Sequence, residues 1–197
     1  MTWKALTGLL LGASLLHGAA PFEGTIRFRM TDAKGRVSHM DYSLKGNKTR
    51  VDTDNPRMGH VAVIVDNATK KSVVLLDSQK VAMDSDIGET APQGSPAAFH
   101  STGRSMTIAG HACEEYASGN SHIWAAPGLG SYRHFQGGPM ATRTRVPAWE
   151  KEMMEKGLFP LKMVDDGGVL EATKVEAKAL PDSFFRAPDH YRHTRRP

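Results

Sequence analysis

The chain has 197 residues, 40% of them hydrophobic, a formal net charge of +4 with neutral histidines, and one cysteine. This length corresponds to a single domain that can bury a core without disulfides, and one cysteine cannot form a disulfide within the chain. The small positive surplus favours no particular partner and gives no reason to expect nucleic-acid binding.

Residues 1–20 have the organisation of a secretory signal peptide. Lys4 supplies the positive charge, residues 5–16 form an apolar run, and the small residues 18–20 offer a cleavage zone. The apolar run is well short of the ~20 residues that cross a bilayer, which argues against an uncleaved membrane anchor. The sequence therefore predicts export from a bacterial cell to the periplasm or the medium, and a single mature domain over residues 21–197.

Apolar and polar residues alternate along most of the chain after this signal. In FEGTIRFRMT the apolar side chains of Ile26, Phe28 and Met30 fall on even positions and polar side chains on odd ones. A period of two indicates a strand with one buried and one solvated face. VSHMDYSL repeats the pattern after the turn DAKGR, and it recurs in NKTRVDTD, HVAVIVDN, KSVVLLDS and QKVAMDS. The first half of the chain is therefore expected to be an antiparallel meander.

The second half combines strands with two irregular segments and one helix. Residues 86–103 are dense in proline, glycine and serine, which predicts a loop, and residues 128–145 also lack a regular pattern. Strands are expected in SMTIA, HACEEYAS and SHIWAAP, and a final hairpin in FPLKMVDD and GVLEATKVEAKA. AWEKEMMEK lies between a proline and a glycine and predicts a short helix with Trp149 and Met153 one turn apart.

Together these segments predict a mainly β protein of about eleven strands. A sheet with so many strands must curl or close. The expected fold is a strongly curved antiparallel sheet, or half-open β-barrel, with the short helix capping its concave side. The basic ending DHYRHTRRP is expected to be an irregular C-terminal tail, which leaves open a weak contact with a membrane surface.

The concave side of such a sheet would be lined by apolar side chains. These residues are Phe28, Met30, Tyr42, Leu44, Ile108, Trp124 and, on the helix, Trp149. A hydrophobic ligand such as a lipid, an acyl chain or a lipoprotein could bind among them. The alternative is that they pack against one another and leave no cavity, in which case the protein has a structural or partner-docking role.

Signatures of catalysis are missing from the sequence. It contains neither a G-x-S-x-G nucleophile elbow nor an H-E-x-x-H metal motif. The neighbouring carboxylates Glu114 and Glu115, like Asp165 and Asp166, are interpreted as solvated side chains on exposed strand faces. The sequence therefore predicts a protein that is not an enzyme and needs no cofactor.

Copper binding is the main alternative function. Histidine and methionine are frequent in the chain, and their imidazole and thioether groups are good copper ligands. The candidate ligands are Met58, His60, His100, His111, His122, His134 and Met140. They form no tight cluster in the sequence, so no metal site is assigned. Other methionines fit core positions on alternating strands, namely Met30, Met40, Met106 and Met163.

The single cysteine, Cys113, lies in the stretch STGRSMTIAGHACEEY, residues 101–116. It is interpreted as a buried small hydrophobe, with an intermolecular disulfide and a reactive or metal-binding thiol as alternatives. The stretch resembles the "TGK…I-x-G-x-x-C-x-x-y" core of an uncharacterised family of exported bacterial proteins. That family is a domain of unknown function grouped with the LolA/LolB-like, periplasmic lipoprotein-carrier fold.

Three further segments are similar to the same family. PFEGTIRF is similar to its opening strand, YSLKGNKTRVD to its second hairpin, and FPLKMVDDGGVLEATKVEAKALPDSFFRAPDHY to its ending. Arg104 stands where a lysine is usual and His111 where an aromatic residue is frequent, and the loop 86–103 lacks the helical character of a carrier lid. The resemblance implies a LolA-like fold and a periplasmic location, and it transfers no catalytic residue. Because Cys113 occupies the family's cysteine position, a buried thiol with a raised pKa and low reactivity is expected.

Overall fold

A computed structural model describes residues 21–87, 98–130, 132 and 148–195. The predicted signal peptide, the centre of the loop 86–103 and most of the irregular segment 128–145 lie outside these residues. Within the described ranges the chain is organised around one large sheet.

The sheet contains twelve strands. They are β1 Gly24–Asp32, β2 Val37–Lys45, β3 Lys48–Asn55, β4 Gly59–Asp66, β5 Lys71–Leu76, β6 Val81–Asp86, β7 His100–Ile108, β8 His111–Ser118, β9 Ser121–Pro127, β10 Leu158–Asp165, β11 Gly168–Ala177 and β12 Arg192–Arg195. The described α-helix, α1, covers Ala148–Glu155, and short 3-10 turns cover Asp77–Gln79 and Asp182–Phe185.

The strand order is β12-β6-β5-β4-β3-β2-β1-β11-β10-β9-β8-β7. Neighbouring strands are antiparallel, except that β12 runs parallel to β6. The pairing of β1 with β11 joins the two halves of the chain in the middle of the sheet. The sheet is curved and open, and it does not close into a barrel. The mainly β, curved antiparallel fold predicted from alternation is confirmed.

The strand β7 is longer than predicted. It begins at His100, within the segment expected to be a loop, instead of at Ser105. Its register against β8 is irregular between Ser101 and Ser105, so three residues of β7 lie opposite the single residue Glu115. Such a bulge interrupts the alternation that signals a strand, and this is why the pattern underestimated its length.

The C-terminal tail, expected to be irregular, contains the strand β12. His193 Nδ1 lies 2.7 Å from Asp84 Oδ2, and Arg195 Nη2 lies 3.2 Å from Asp86 Oδ2, with both acidic residues on β6. The basic end of the chain is therefore matched to acidic side chains that are distant in the sequence.

The segment between β11 and β12 is held against the sheet by polar contacts with β2 and β3. Lys45 Nζ donates a hydrogen bond of 2.6 Å to the backbone oxygen of Leu180. Arg50 donates one of 2.9 Å to the oxygen of Phe184, and its guanidinium lies 4.4 Å from the centroid of that ring. Apolar contacts complete the packing, and the buried residues that share this cluster are Ala62, Ile64, Leu75, Ala82, Leu180, Phe185 and Tyr191.

Alternation gives the sheet two different faces. We call the face that carries the buried Ile26 and Phe28 the inner face, and the face that carries the exposed Arg27 and Arg29 the outer face. Directly opposed residues on neighbouring strands point to the same side, so the register extends both assignments across the sheet.

The helix α1 packs beside β10 with one side towards the main core. Met153 is fully buried there and Trp149 packs against the same core, as their spacing of one turn predicts. The helix ends before Gly157, whose φ of 65° is the left-handed conformation that glycine adopts after a helix end. None of the helical segments in the described ranges has the length and hydropathy to span a bilayer.

The turn between β10 and β11 provides a stability test. A Cβ atom on Gly168, which has a φ of 137°, would lie 2.0 Å from the backbone oxygen of Thr31. Gly168→Ala is therefore expected to lower the free energy of unfolding by about 1.5 kcal/mol, because β1 and β11 must separate locally. Gly167→Ala is the control, since its Cβ would meet only the movable side chain of Asp165, at 3.0 Å. Denaturant titration measures both variants, and equal losses would contradict the steric explanation.

Candidate functional site

The inner face carries a continuous row of buried apolar side chains across five strands. These cross-strand neighbours are Ile26, Tyr42, Val51, Val63 and Val74. None is more than 3% exposed. The row contains no charged residue, whereas charged side chains occupy the intervening positions of β1 and β3. We call it the buried row.

A second apolar row on the same face is less covered. Its members are Ile123, Met163, Leu170 and Met30, which oppose one another from β9 to β1, and Ile123 continues to Tyr116 on β8. Ile123 is fully buried, but Met163, Leu170 and Met30 each retain partial exposure. We call it the half-buried row. Apolar surface therefore remains accessible to a ligand on this part of the described inner face.

The structure places the seven predicted lining residues in three situations. Phe28, Tyr42, Leu44 and Ile108 are buried members of the main core. Trp149 packs against this core from α1, and Met30 belongs to the half-buried row. Trp124 is also packed against this core, but its register with Glu115, Lys162 and Arg29 places it on the outer face.

Aromatic rings link the helix to the inner face at β8. Phe99 stacks on Tyr116 with ring centroids 4.8 Å apart, and Trp149 stacks on Phe99 at 6.5 Å. Trp149 is thus the outermost ring of a three-ring layer that rests on the sheet. This is the capping role predicted for the helix.

A second aromatic group lies within the main core. Tyr42, Tyr132 and Phe159 have ring centroids 5.5–5.8 Å apart, with Phe159 edge-on to both tyrosines. Burial raises the pKa of Tyr132 well above its usual range, with smaller contributions from Tyr42 and the charge of Glu150. This phenol therefore stays neutral and acts as part of the packing.

A polar group borders the apolar rows at β8 and the end of α1. Glu114 accepts hydrogen bonds from Ser101 and, at 3.0 Å, from the hydroxyl of Tyr116. Lys156 Nζ lies 5.5 Å from the centroid of Phe99 and 5.9 Å from that of Tyr116. The hydrogen bonds from Ser101 and Tyr116, with the charge of Lys156, lower the pKa of Glu114. We call Ser101, Glu114, Tyr116 and Lys156 the Glu114 cluster.

On the outer face, Glu115 is fully buried, so its interpretation as a solvated side chain was wrong. It accepts hydrogen bonds from Thr102 Oγ1 at 2.6 Å, from Arg104 Nη2 at 2.5 Å and from His122 Nδ1 at 2.9 Å, and Arg104 Nε donates a further one. Thr102 and Arg104 flank Gly103, whose φ of 74° allows the bulge to turn both side chains towards one carboxylate. The threonine-glycine-arginine sequence was the signal that could have revealed this network.

The charge on Glu115 is stabilised where it is buried. Burial by itself would raise its pKa, but the hydrogen bonds from Thr102, Arg104 and His122 and the charge of Arg104 outweigh burial and lower it. Arg104 remains 64% exposed, so the carboxylate lies just beneath the surface and is covered by its own partners. The network ties β7, β8 and β9 together on the side of the sheet away from the apolar rows.

Cys113 is a free, buried thiol, as expected. Burial raises its pKa, with a smaller opposing effect from a backbone hydrogen bond. A raised pKa keeps the sulfur protonated and therefore poorly nucleophilic. Met106, expected in the core, lies opposite Cys113 and is 38% exposed, because β7 is an edge strand.

The proposed copper ligands do not converge in the described structure. His60 contacts Asp52 and Asp54 at 3.1 and 3.3 Å, and His122 is bonded to Glu115. His134 and Met140 lie outside the described residues. Within the described ranges, no three side chains of His, Cys, Asp or Glu are placed to hold a metal ion.

Comparisons with solved structures support the fold. The chain is similar to an uncharacterised conserved protein from Thermus thermophilus, with 11% identity and a TM-score of 0.53, over 91% of this chain and 92% of that one. It is also similar to PNGF-II, with 17% identity and a TM-score of 0.51, over 89% of this chain and 31% of that one. At such identities the likeness concerns the fold alone. No curated protein sequence matches the chain.

Family membership follows from the sequence match. The profile of a family described as a domain of unknown function, DUF4412, matches residues 22–191. The match runs from just before β1 to just before β12, and so includes both apolar rows and the Glu114 cluster. The prediction of an uncharacterised domain family is thereby confirmed, while the relation to lipoprotein carriers stays a prediction. The chain belongs to the DUF4412 family.

Proposed function

We propose that the protein is exported to the bacterial periplasm and binds a hydrophobic ligand, such as a lipid or an acyl chain, on the inner face of its sheet. It does so without catalysis and without a cofactor. Export rests on the signal-peptide pattern of residues 1–20. Binding rests on the inner face.

The observation that carries this proposal is the half-buried row. Met163, Leu170 and Met30 form an uncharged strip that is only partly covered, next to a fully buried apolar core. Methionine side chains are flexible and polarizable, so they adapt to apolar ligands of varied shape. An uncharged, partly exposed strip on the inner face of a curved sheet can bind a long apolar ligand along its length.

We expect a bound ligand to extend from this strip beneath the layer of Tyr116, Phe99 and Trp149, which we call the aromatic cover. Tyr116, at the base of this layer, is 8% exposed, so a ligand can reach it and the buried Ile123 opposite it only if the cover moves. Trp149 is the outermost ring of that cover and belongs to a helix of only two turns. Movement of α1 would open the inner face without breaking the sheet.

We expect the mature protein to bind the uncharged apolar dye N-phenylnaphthylamine, with an increase in dye fluorescence. Trp149→Ala should weaken this binding roughly tenfold, because a large aromatic contact is lost. Trp124→Ala is the matched control, since it removes the same side chain from the outer face. Native mass spectrometry of protein purified from the cell envelope without detergent should show an adduct of lipid mass.

The other outcomes separate the competing functions. A clean apo mass together with no dye binding would exclude the proposal and favour a scaffold that docks a protein partner. Stoichiometric Cu(I) uptake in place of lipid would favour the metal-binding alternative. Equal weakening by Trp149→Ala and Trp124→Ala would show that the dye does not report on the inner face.

A further inference from the structure

We propose that the ligand of the inner face is an amphiphile with a zwitterionic head group, and that its head lies at the Glu114 cluster. This inference rests on the proposed function and specifies its ligand class. It is drawn from the charges that border the half-buried row.

Opposite charges flank a single ring at this border. The hydroxyl of Tyr116 is bonded to the carboxylate of Glu114, while the ammonium of Lys156 lies near the ring of the same tyrosine. Glu114 is exposed and the Lys156 side chain is 45% exposed. Both charges are therefore accessible to a ligand.

A continuous row of apolar side chains leads from this point, buried at Tyr116 and Ile123 and partly exposed from Met163 to Met30. Tyr116 is opposed by Ile123, which starts the half-buried row that ends at Met30. The path crosses from β8 to β1, and a spacing of about 4.8 Å between strands makes it roughly as long as an extended hexadecyl chain. The polar and apolar ends of the site thus lie in the order that a single-chain amphiphile requires.

The balance of charge selects the head group. Lys156 is bonded to Glu152 at 3.1 Å, so the border holds one cation and two carboxylates, including Glu114. A purely anionic head would meet repulsion from both carboxylates, a purely cationic head would gain nothing from Lys156, and a neutral head would gain no contact with either charge. A head with both a phosphate and an ammonium group can place the phosphate at Lys156 and the ammonium at Glu114.

The test compares hexadecyl amphiphiles that differ only in the head: phosphoethanolamine, phosphate, trimethylammonium and hydroxyl. Each amphiphile is added below its own critical micelle concentration, and the displacement of bound N-phenylnaphthylamine is measured from the loss of dye fluorescence. We expect the phosphoethanolamine compound to displace the dye at about tenfold lower concentration than the other three.

Charge-removing variants should shift this order in opposite directions. Lys156→Gln should favour the trimethylammonium over the phosphate compound by about fivefold, and Glu114→Gln should do the reverse. Glutamine at position 114 can still accept the hydrogen bond from Tyr116, so folding should be preserved. Lys151→Gln is the matched control, because Lys151 forms an equivalent pair with Glu155 on the same helix, 3.8 Å away. It should leave the order unchanged.

Failure of this inference is distinguishable from failure of the proposed function. If the dye binds but all four compounds displace it equally, or both variants keep the wild-type order, the head-group assignment is wrong and apolar binding stands. If the dye does not bind at all, the proposed function is wrong and the head-group assignment falls with it.

Discussion

Replacing Phe159 by alanine is expected to lower the free energy of unfolding by about 3–5 kcal/mol. The side chain is fully buried on β10, and its ring lies 5.5 Å from the ring of Tyr42 and 5.6 Å from that of Tyr132. Removing it leaves a cavity that two rigid rings cannot easily fill. Urea denaturation should show a lower midpoint with an unchanged slope, since the exposed surface on unfolding is nearly the same.

Phe159→Leu is the control for this prediction. Leucine retains most of the apolar volume, so its loss should be less than half that of alanine. If Phe159→Ala cost less than about 1 kcal/mol, the aromatic group would not be a tightly packed part of the core. Stability of the folded scaffold is thereby tested separately from ligand binding, which depends on the half-buried row.

Alternation predicted the strands well because most of them have one apolar and one solvated side. In β1, buried Ile26 and Phe28 alternate with exposed Arg27 and Arg29 as the sequence indicates. The helix could also be predicted from the sequence, because Trp149 and Met153 lie one turn apart on the same side of it. Local periodicity and turn residues therefore predicted the strands and the hairpins β1–β2 and β10–β11, but not the pairing of β1 with β11 or of β12 with β6.

Long-range pairing explains what the sequence could not reveal. β12 pairs with β6, where His193 and Arg195 meet Asp84 and Asp86, and no local pattern records such a pairing. The bulge at Gly103 hides the first half of β7 for a different reason, because it breaks the period of two. Both errors concern edge strands, which pair with a neighbour on one side only.

The candidate site was predicted only in part, because local alternation gives the side of a strand on which a residue lies but not the register between strands. Phe28, Tyr42 and Leu44 were assigned to the interior from local parity, and the structure buries all three. Trp124 was assigned with them, but the register of β9 against β8 and β10 turns it to the outer face. The half-buried row and the Glu114 cluster exist only across strands, so only the sheet order could bring their members together.

The Glu115 network should make stability depend on acid. Its partners hold the folded pKa of Glu115 below the value of about 4.3 expected for an unfolded chain. A lowered folded pKa means that this group contributes stability above the unfolded pKa and loses it as the pH falls through the folded pKa. Glu115→Gln is expected to lower the free energy of unfolding by about 2 kcal/mol at pH 7, because one amide oxygen must replace a carboxylate that accepts from three side chains.

The difference between wild type and Glu115→Gln should shrink as the pH is lowered below about 4, since the wild-type carboxylate is then protonated too. Urea midpoints measured between neutral and acidic pH provide the comparison. Glu176→Gln is the matched control: the pKa of Glu176 is also lowered, by its hydrogen bonds and charge contacts with Lys174 and Lys178, but this carboxylate is solvated. Its substitution should change stability little at any pH. A Glu115→Gln profile parallel to that of wild type would mean that the pKa of Glu115 is the same in the folded and unfolded chains, and would contradict the stabilisation of its charge by Thr102, Arg104 and His122.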